Sequence, residues 1–511
     1  MSKKRQMIEA INAFVVGCKS DNIWDSIKAC CILSGWNNLD GCLTPIKGDA
    51  PTNYNFVAND YNLLTGLQGD GSTKYLNSNR ANNADPQDSS HIAVYASSLD
   101  TNGTVVGVHM GAGGSGATGS TMLVEQGALV LRVRSRSSTL TSSSQNEAVG
   151  FMAVARPDAS NISVRSDGGT SSHTVASETP ANANYYVFGT NNSGLANATD
   201  ARLAFYSIGE ALDLELLDNR VSTLIKDLAK PYVTNVEAKN WIDRVYDNGG
   251  TVSQATANAV SSFCDSIESA GIRDRFYRLN LFAGDNLNAA LVPLYTGPTY
   301  GGTVYGNAVD TNFNFVSADY VESYGLTGSS TTAKYLDTGV PANFNNTRHM
   351  SVHLANVIGT YRKLIGLDQP EVFSITQATT GTVYAVVYGH RYGQEGNLGS
   401  INVAPNQANA LVQWQPGEIA TLSYTGVGGF ITLYKNENAL DTPSLQNYPI
   451  PLTSDVSIPV FTDRRTDTGE VRTSTSPATL TGYSIGDGMS AEQVAAYSEI
   501  CRSSHQSLGR A

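Results

Sequence analysis

The chain is short of charge. Lys, Arg, Asp and Glu supply 15% of its 511 residues, against about 25% in an ordinary soluble protein, so surface polarity has to come from Ser, Thr and Asn. Its formal net charge is −12, and neither half carries the basic face of a nucleic-acid binder. No run of about 18 apolar residues occurs, so no membrane span is expected. The six cysteines (Cys18, Cys30, Cys31, Cys42, Cys264, Cys501) contain no Cys-x-x-Cys pair, which argues against a zinc or redox site and for free, buried thiols. Glu9 and Asn12 interrupt the apolar positions of Met7 to Cys18. The N-terminal segment therefore lacks the apolar region of a signal peptide, and synthesis in a reducing cytosol is expected.

What is present points to large folded domains. Apolar residues make up 41%, with 25 Tyr and 14 Phe, too many for a disordered chain. The 48 Gly show no three-residue period, which excludes a collagen-like shaft. Length alone permits three or four domains, but all-β domains commonly run about 200 to 250 residues.

An internal match decides for two. Ala10–Phe14 answers Ala259–Phe263, Leu43–Ile46 answers Leu291–Leu294, Asn55–Val57 answers Asn314–Val316, and Thr73–Leu76 answers Ala333–Leu336. His91 answers His349, and Tyr206-Ser207-Ile208-Gly209 answers Tyr483-Ser484-Ile485-Gly486. The order is kept, and the drift in spacing is accounted for by insertions such as Thr296 to Gly306. A period this long is a duplicated domain, since solenoid repeats run about 20 to 50 residues. The domains are placed at 1–230 and 231–511.

Each copy reads alike. Apolar residues at helical spacing (Ile8, Ile11, Phe14, Val15, Cys18, then Ile23, Ile27, Cys30, Cys31) predict two short opening helices. In the second copy these become Val236 to Asn248 and a helix capped by Ser253. Alternating β-branched and aromatic runs follow, including Val149–Ala155, Asn161–Arg165, Arg202–Ile208, Arg348–Leu354 and Ile419–Tyr424. Closing helices are predicted over Asp213–Leu228 and Ser490–Ser504, with Asp213 and Ser490 as N-caps. The fold class is mainly β: two tandem antiparallel jelly-roll sandwiches, each preceded by short helices and closed by a C-terminal helix.

At these residues a resemblance appears. Phe205–Ile225, Tyr483–Ala511, Gly71–Asn79 and Gly150–Arg156 are similar to concanavalin-A-like, laminin-G-type jelly rolls of tailed-phage virion proteins; the second copy departs from the pattern around Glu395 to Pro416. The resemblance implies surface display, contact with carbohydrate or protein, and calcium at a sandwich rim, for which Asp60 and Asp70, or Asp310 and Asp319, are candidates. Turn chemistry also explains those four acids.

Little catalytic chemistry stands out. Gly111, Gly113 and Gly116 match a dinucleotide cradle in spacing, but a strand-like run follows where a helix is required, so a loop is expected. The acidic cluster Glu210, Asp213, Glu215 and Asp218 sits at the start of a helix, where it complements the helix dipole. His91 and His349 each open a strand, with His353 following on the same face as His349; that pair could hold a metal, but the first copy has only one of the two, and hydrogen bonding that supports the fold is the expected role. Binding signals are fainter but less easily dismissed. Arg132, Arg134 and Arg136 alternate along one strand and form a basic ladder if Leu131 and Val133 point inward. Tyr295, Tyr300, Tyr305, Tyr320 and Tyr324 surround the insertion in the second copy, and exposed aromatics stack on sugars and anchor interfaces. Of these, Arg132, Arg134, Arg136, Tyr300 and Tyr305 are the candidate ligand-binding residues.

The expected function is a non-enzymatic structural component on the exterior of a tailed-phage virion, a tail or neck adhesin or a capsid decoration protein, assembled in the host cytoplasm. Its expected partners are other virion proteins, further copies of itself in a trimer, and a host surface glycan, with no nucleic acid and no membrane insertion. No cofactor beyond the calcium above is expected. The alternatives are a glycan depolymerase, which needs two carboxylates about 5 to 9.5 Å apart, and a free lectin.

Overall fold

The computed structural model describes residues 3–99, 107–125, 130–343, 347–356, 362–368, 371–377, 383–389, 417–425, 431–441, 455–465, 468–471 and 476–510. The chain divides into two compact units, Met1–Ala229 and Lys230–Ala511. Each is a jelly-roll sandwich of two sheets, antiparallel except where one two-residue strand pairs parallel. The departure at Glu395 to Pro416 lies outside the described residues.

In the first unit the strand Arg202–Gly209 is the axis of one sheet, flanked by Ser90–Ser98 and Ile27–Ile32. In the second, Thr479–Gly486 is flanked in the same way by Arg348–Leu354 and Phe276–Asn280. Strand order along this sheet is the same in both units. The facing sheet carries Thr52–Tyr54, Tyr75–Ala81, Asn184–Val187 and Gly107–Ala112 in the first unit. Its counterpart carries Thr311–Phe313, Tyr335–Pro341, Ser457–Val460 and Arg362–Asp368.

Period-two side-chain alternation gives each unit two large apolar cores, and the first unit a further small cluster of Val108, Met122 and Val124. Along Gly150–Arg156, Met152 and Val154 enter the space between the sheets, while Phe151, Ala153 and Ala155 pack under the helices. Burying a Phe- or Met-sized side chain contributes about 1.5–3 kcal/mol, so such a strand is anchored from both sides. The shared tetrapeptide follows from the same geometry. Tyr206 and Ile208 face the inter-sheet core, and Ser207 Oγ meets His91 Nε2 at 3.1 Å. A Cβ at Gly209 would strike the Ser26 carbonyl, and one at Gly486 the Arg275 carbonyl.

Leu214–Ala229 and Ala491–Ser507 are the closing helices. Asp213 Oδ1 accepts from the Glu215 and Leu216 N–H groups, and Ser490 and Gln493 cap each other reciprocally. The openings differ from expectation. Lys3–Ser20 is the first unit's opening helix, and Ile27–Ile32, read as part of a second one, is a strand. Its burial on both faces gives it a run of apolar residues from Ala29 to Ile32, which periodicity cannot separate from a short buried helix. The counterpart of Lys3–Ser20 is Gln254–Ser269, so Val236–Asp247 has no counterpart among the described residues of the first unit.

Candidate functional site: a cleft in the second unit

Two elements with no counterpart among the described residues of the first unit meet in the second. One is the helix Val236–Asp247. The other is the connection after Tyr295. Matched isolated bridges, Cys30 with Lys47 and Leu279 with Tyr295, set the equivalence. Residues 48–51 join Lys47 to the strand at Thr52, whereas residues 296–310 join Tyr295 to the strand at Thr311.

Asn235 caps the helix by accepting from the Glu237 and Ala238 N–H groups at 2.9 and 3.1 Å. Ala238, Trp241, Ile242 and Val245 are buried, and Trp241 Nε1 donates to the Val292 carbonyl at 3.0 Å. That docking leaves Glu237, Asn240 and Arg244, spaced i, i+3 and i+7, along the neighbouring face. The long connection turns where the Gly302 N–H donates to the Thr299 carbonyl at 3.2 Å, with Gly301 at φ +69°, a conformation open to glycine. The Tyr305 N–H closes it on the Thr296 carbonyl at 2.7 Å.

Arg273 ties helix to loop. Its Nε donates to both Glu237 carboxylate oxygens at 2.9 and 2.7 Å, its Nη1 donates to the Gly297 carbonyl at 2.8 Å, and its guanidinium stacks 3.8 Å from the Tyr295 ring centroid. Between helix and loop lies a cleft of about 200 Å³, lined by residues that include Glu237, Asn240, Arg244, Thr299, Tyr300 and Thr303. Tyr300 is 53% exposed in its wall. Arg244 Nη2 donates to the Leu294 carbonyl at 3.0 Å, while its Nε and Nη1 are buried without a hydrogen-bond partner among the described residues. Burial pushes the Arg244 guanidinium down to about 10, the like charge of Arg278 adding to the effect and Glu237 opposing it. The group remains a cation at neutral pH.

The other candidates fall elsewhere. Tyr305 is half-buried, edge-on to Tyr277 at 4.6 Å. Tyr295 and Tyr320 are buried, and the Tyr320 hydroxyl donates to the Phe282 and Gly284 carbonyls. The basic ladder is not an exposed feature. Leu131 and Val133 do point into the core, but Arg132 is only half-exposed and Arg134 is buried, donating to the Ser138 carbonyl. Arg136 lies past the strand end at φ +51°. It is fully buried and donates to the Asn82, Pro86 and Ser89 carbonyls. The strand ends before the alternation can extend to a third arginine.

The acids are engaged by protein donors. Asp60 and Asp319 pair with Lys74 and Lys334 in matching positions, and Asp70 accepts from the backbone of Ser72, Thr73 and Lys74. Buried Asp310 takes Arg278, Asn280 and Tyr483. These surroundings do not fit a calcium ion, which takes 6–8 oxygen ligands. Glu210 pairs with Lys28, and Asp218 with Arg165. Gly111 lies within the strand Gly107–Ala112, and Gly113 and Gly116 lie in the turn after it.

Sequence reasoning found the insertion and Tyr300 but missed Glu237, Arg244 and Arg273; the i, i+3, i+7 spacing of Glu237, Asn240 and Arg244 beside the helix's apolar stripe was the available signal for the first two. It also missed a stack of Tyr54 on Tyr75 at 4.3 Å and 4°, with Tyr186 4.5 Å beyond. Those rings face one another across strands, which leaves the inner faces no room for a sugar.

No protein-family model and no curated protein sequence matches the chain. Among solved structures it is similar to domains LG4-5 of the mouse laminin alpha1 chain, with 12% identity, 79% of this chain and 82% of that one covered, and a TM-score of 0.19. It is similar to the botulinum neurotoxin serotype D binding domain, with 10% identity, 84% and 81% covered, and a TM-score of 0.29. It is also similar to the CBM40 of Ruminococcus gnavus IT-sialidase bound to alpha2,3 sialyllactose, with 11% identity, 26% and 81% covered, and a TM-score of 0.22. Similarity at this level carries nothing about ligand or activity, and the jelly-roll architecture is read from the sheets themselves.

Proposed function

We propose that the chain is a non-catalytic component of a tailed-phage virion that binds a host surface glycan through the cleft of its second unit. The observation that carries the binding role is an exposed aromatic ring, Tyr300, beside the polar groups of Asn240, Arg244 and Thr299 in one cleft. Aromatic faces take the apolar side of a ligand, and a few placed polar groups fix its orientation. That the cleft is formed by two elements without a counterpart among the described residues of the first unit supports a role beyond stability. Glu237 is the single carboxylate among the cleft's lining residues, and Arg273 holds both of its oxygens. Glycoside hydrolysis ordinarily takes a pair of carboxylates, so the geometry favours binding over cleavage. The virion assignment is supported by the resemblance of the closing segments and of Gly71–Asn79 and Gly150–Arg156; other virion proteins and further copies of the chain are its partners there.

Mass spectrometry of purified particles and a glycan array comparing wild type with Tyr300→Ala test the two parts. The chain is expected in the particles, and array binding is expected to drop at least tenfold in the variant. Absence from particles removes the virion assignment, and unchanged array binding removes the cleft.

A further inference from the structure

The closing helices of the two units rest on seats of opposite character. Strand registers match the seats residue for residue. In the first unit Ala93, Ala153, Ala155 and Ala204 of the sheet pack with Val221, Leu224 and Leu228 of the helix in one apolar core. In the second unit the same places hold Ser351, Thr421, Ser423 and Thr481 on the sheet and Ser498, Cys501 and His505 on the helix, all buried. Half-buried Tyr95 of the first seat is answered by buried His353.

The polar contact at these places is incomplete. His353 Nε2 meets the Tyr497 hydroxyl at 2.9 Å and the Cys501 thiol at 3.8 Å, and His505 Nε2 meets the Thr481 hydroxyl at 3.2 Å. His353 Nδ1, Thr421 Oγ1, Ser498 Oγ and Ser504 Oγ are buried with no hydrogen-bond partner among the described residues, and water supplies one to each when the helix lifts. The two imidazoles, one on the sheet and one on the helix, lie 5.4 Å apart. Facing them are the Tyr497 hydroxyl and the Cys501 thiol, which burial keeps neutral, and the Arg510 guanidinium. Arg510 is in turn faced by Tyr320 and Glu322.

We infer that the second unit's closing helix, Ala491–Ser507, is a strap that acid releases from its sheet. With the helix seated, a proton on either ring is buried beside a cation; with the helix lifted, it is solvated. Histidine in water takes its proton near pH 6.5. Below that value each ring raises the opening constant by up to about tenfold per pH unit, and the pair by up to about a hundredfold. Opening one helix exposes less apolar surface than unfolding the unit, so it is the first step acid reaches.

Hydrogen exchange of the full chain, followed by mass spectrometry at pH 7, 6 and 5 and corrected for the intrinsic exchange rate, tests this on the unaltered protein. Between pH 7 and 5 the protection of Ala491–Ser507 is expected to fall at least about tenfold more than that of Leu214–Ala229, and the strands Arg348–Leu354 and Thr479–Gly486 are expected to lose less than the helix. His91 and His349 stand in matching positions with matching bonds, so their protonation cancels between the two helices. His505→Leu and His353→Tyr place the first unit's residues in the second seat, and each is expected to remove about half of the excess on a logarithmic scale, one proton of two. Equal declines in the two helices overturn the inference, as do strands that lose protection in step with Ala491–Ser507. Both comparisons are made on the wild type, so they decide the matter whether or not a variant folds.

Discussion

The guanidinium of Arg273 lies 3.8 Å from the centroid of the Tyr295 ring. At the equivalent positions of the first unit stand Trp24 and Lys47, and Lys47 Nζ lies 4.7 Å from the Trp24 ring centroid. Cation and ring have exchanged places while the interaction between the two positions is kept. In the second unit the exchange puts the cation where it also reaches Glu237 and Gly297, so one side chain braces both the additional helix and the long loop.

Arg273→Ala should therefore damage the cleft and the second unit together. It leaves Glu237, 5% exposed, as a buried unpaired carboxylate, which costs about 3 kcal/mol or more. Urea unfolding should show that loss in the second unit's transition, and Glu237→Gln in the same background should recover part of it. A loss below about 1 kcal/mol would mean that the pair is not what holds the helix to the loop.

Acid should weaken the second unit first. His91 and His349 make the same two bonds, each ring to a backbone carbonyl at 2.6 Å (Glu210 and Asp487) and to a serine hydroxyl (Ser207 and Ser484). Burial pushes each down to about 4. His505 is pushed to about 3 by burial and by Arg510, and His353, buried 5.4 Å from His505, is also held well below its usual value. The unfolded chain, with histidines near 6.5, binds these protons before the folded one does. The stability each contributes is complete above pH 6.5 and is lost as the pH falls toward 4, at about 1.4 kcal/mol per pH unit per histidine. Asp85 opposes and Arg80 reinforces the shift at His91; Arg275 reinforces it at His349. Three of the four lie in the second unit, so its melting temperature should fall faster than the first unit's between pH 7 and 5. Parallel declines would contradict this.

Arg136 should matter for folding and not for ligands. Its guanidinium supplies the donors for three loop carbonyls inside the first unit, and Arg136→Ala leaves them buried and unpaired at about 1–3 kcal/mol each. Denaturant titration should show a loss of at least about 3 kcal/mol, whereas Arg132→Ala and Arg134→Ala should leave array binding unchanged. Lost glycan binding in the latter pair would restore the basic ladder.

Much of the fold was legible because its signals are local. Strands such as Asn161–Ser166 and Ile419–Tyr424, and the caps Ser253 and Ser490, are written in neighbouring residues. Ile27–Ile32 was misread because burial on both faces erases the alternation that marks a strand. The arginines failed for a related reason. Alternation gives the face of a side chain, but whether loops such as Pro86–Ser89 cover that face is a long-range matter. At the cleft, the insertion and Tyr300 were visible in the sequence. The partnership of Glu237, Arg244 and Arg273 was not, because it depends on how the additional helix docks through Trp241.

The central claim is that the second unit's added loop makes the binding site. Replacing residues 296–309 with residues 48–50 of the first unit, which keeps buried Asp310 on Arg278, and titrating the purified chain with the sugar that the wild type binds best, tests it most directly. The account predicts that binding is lost while the first unit's melting transition is unchanged and the second unit still unfolds cooperatively. Undiminished binding by the shortened chain would contradict it.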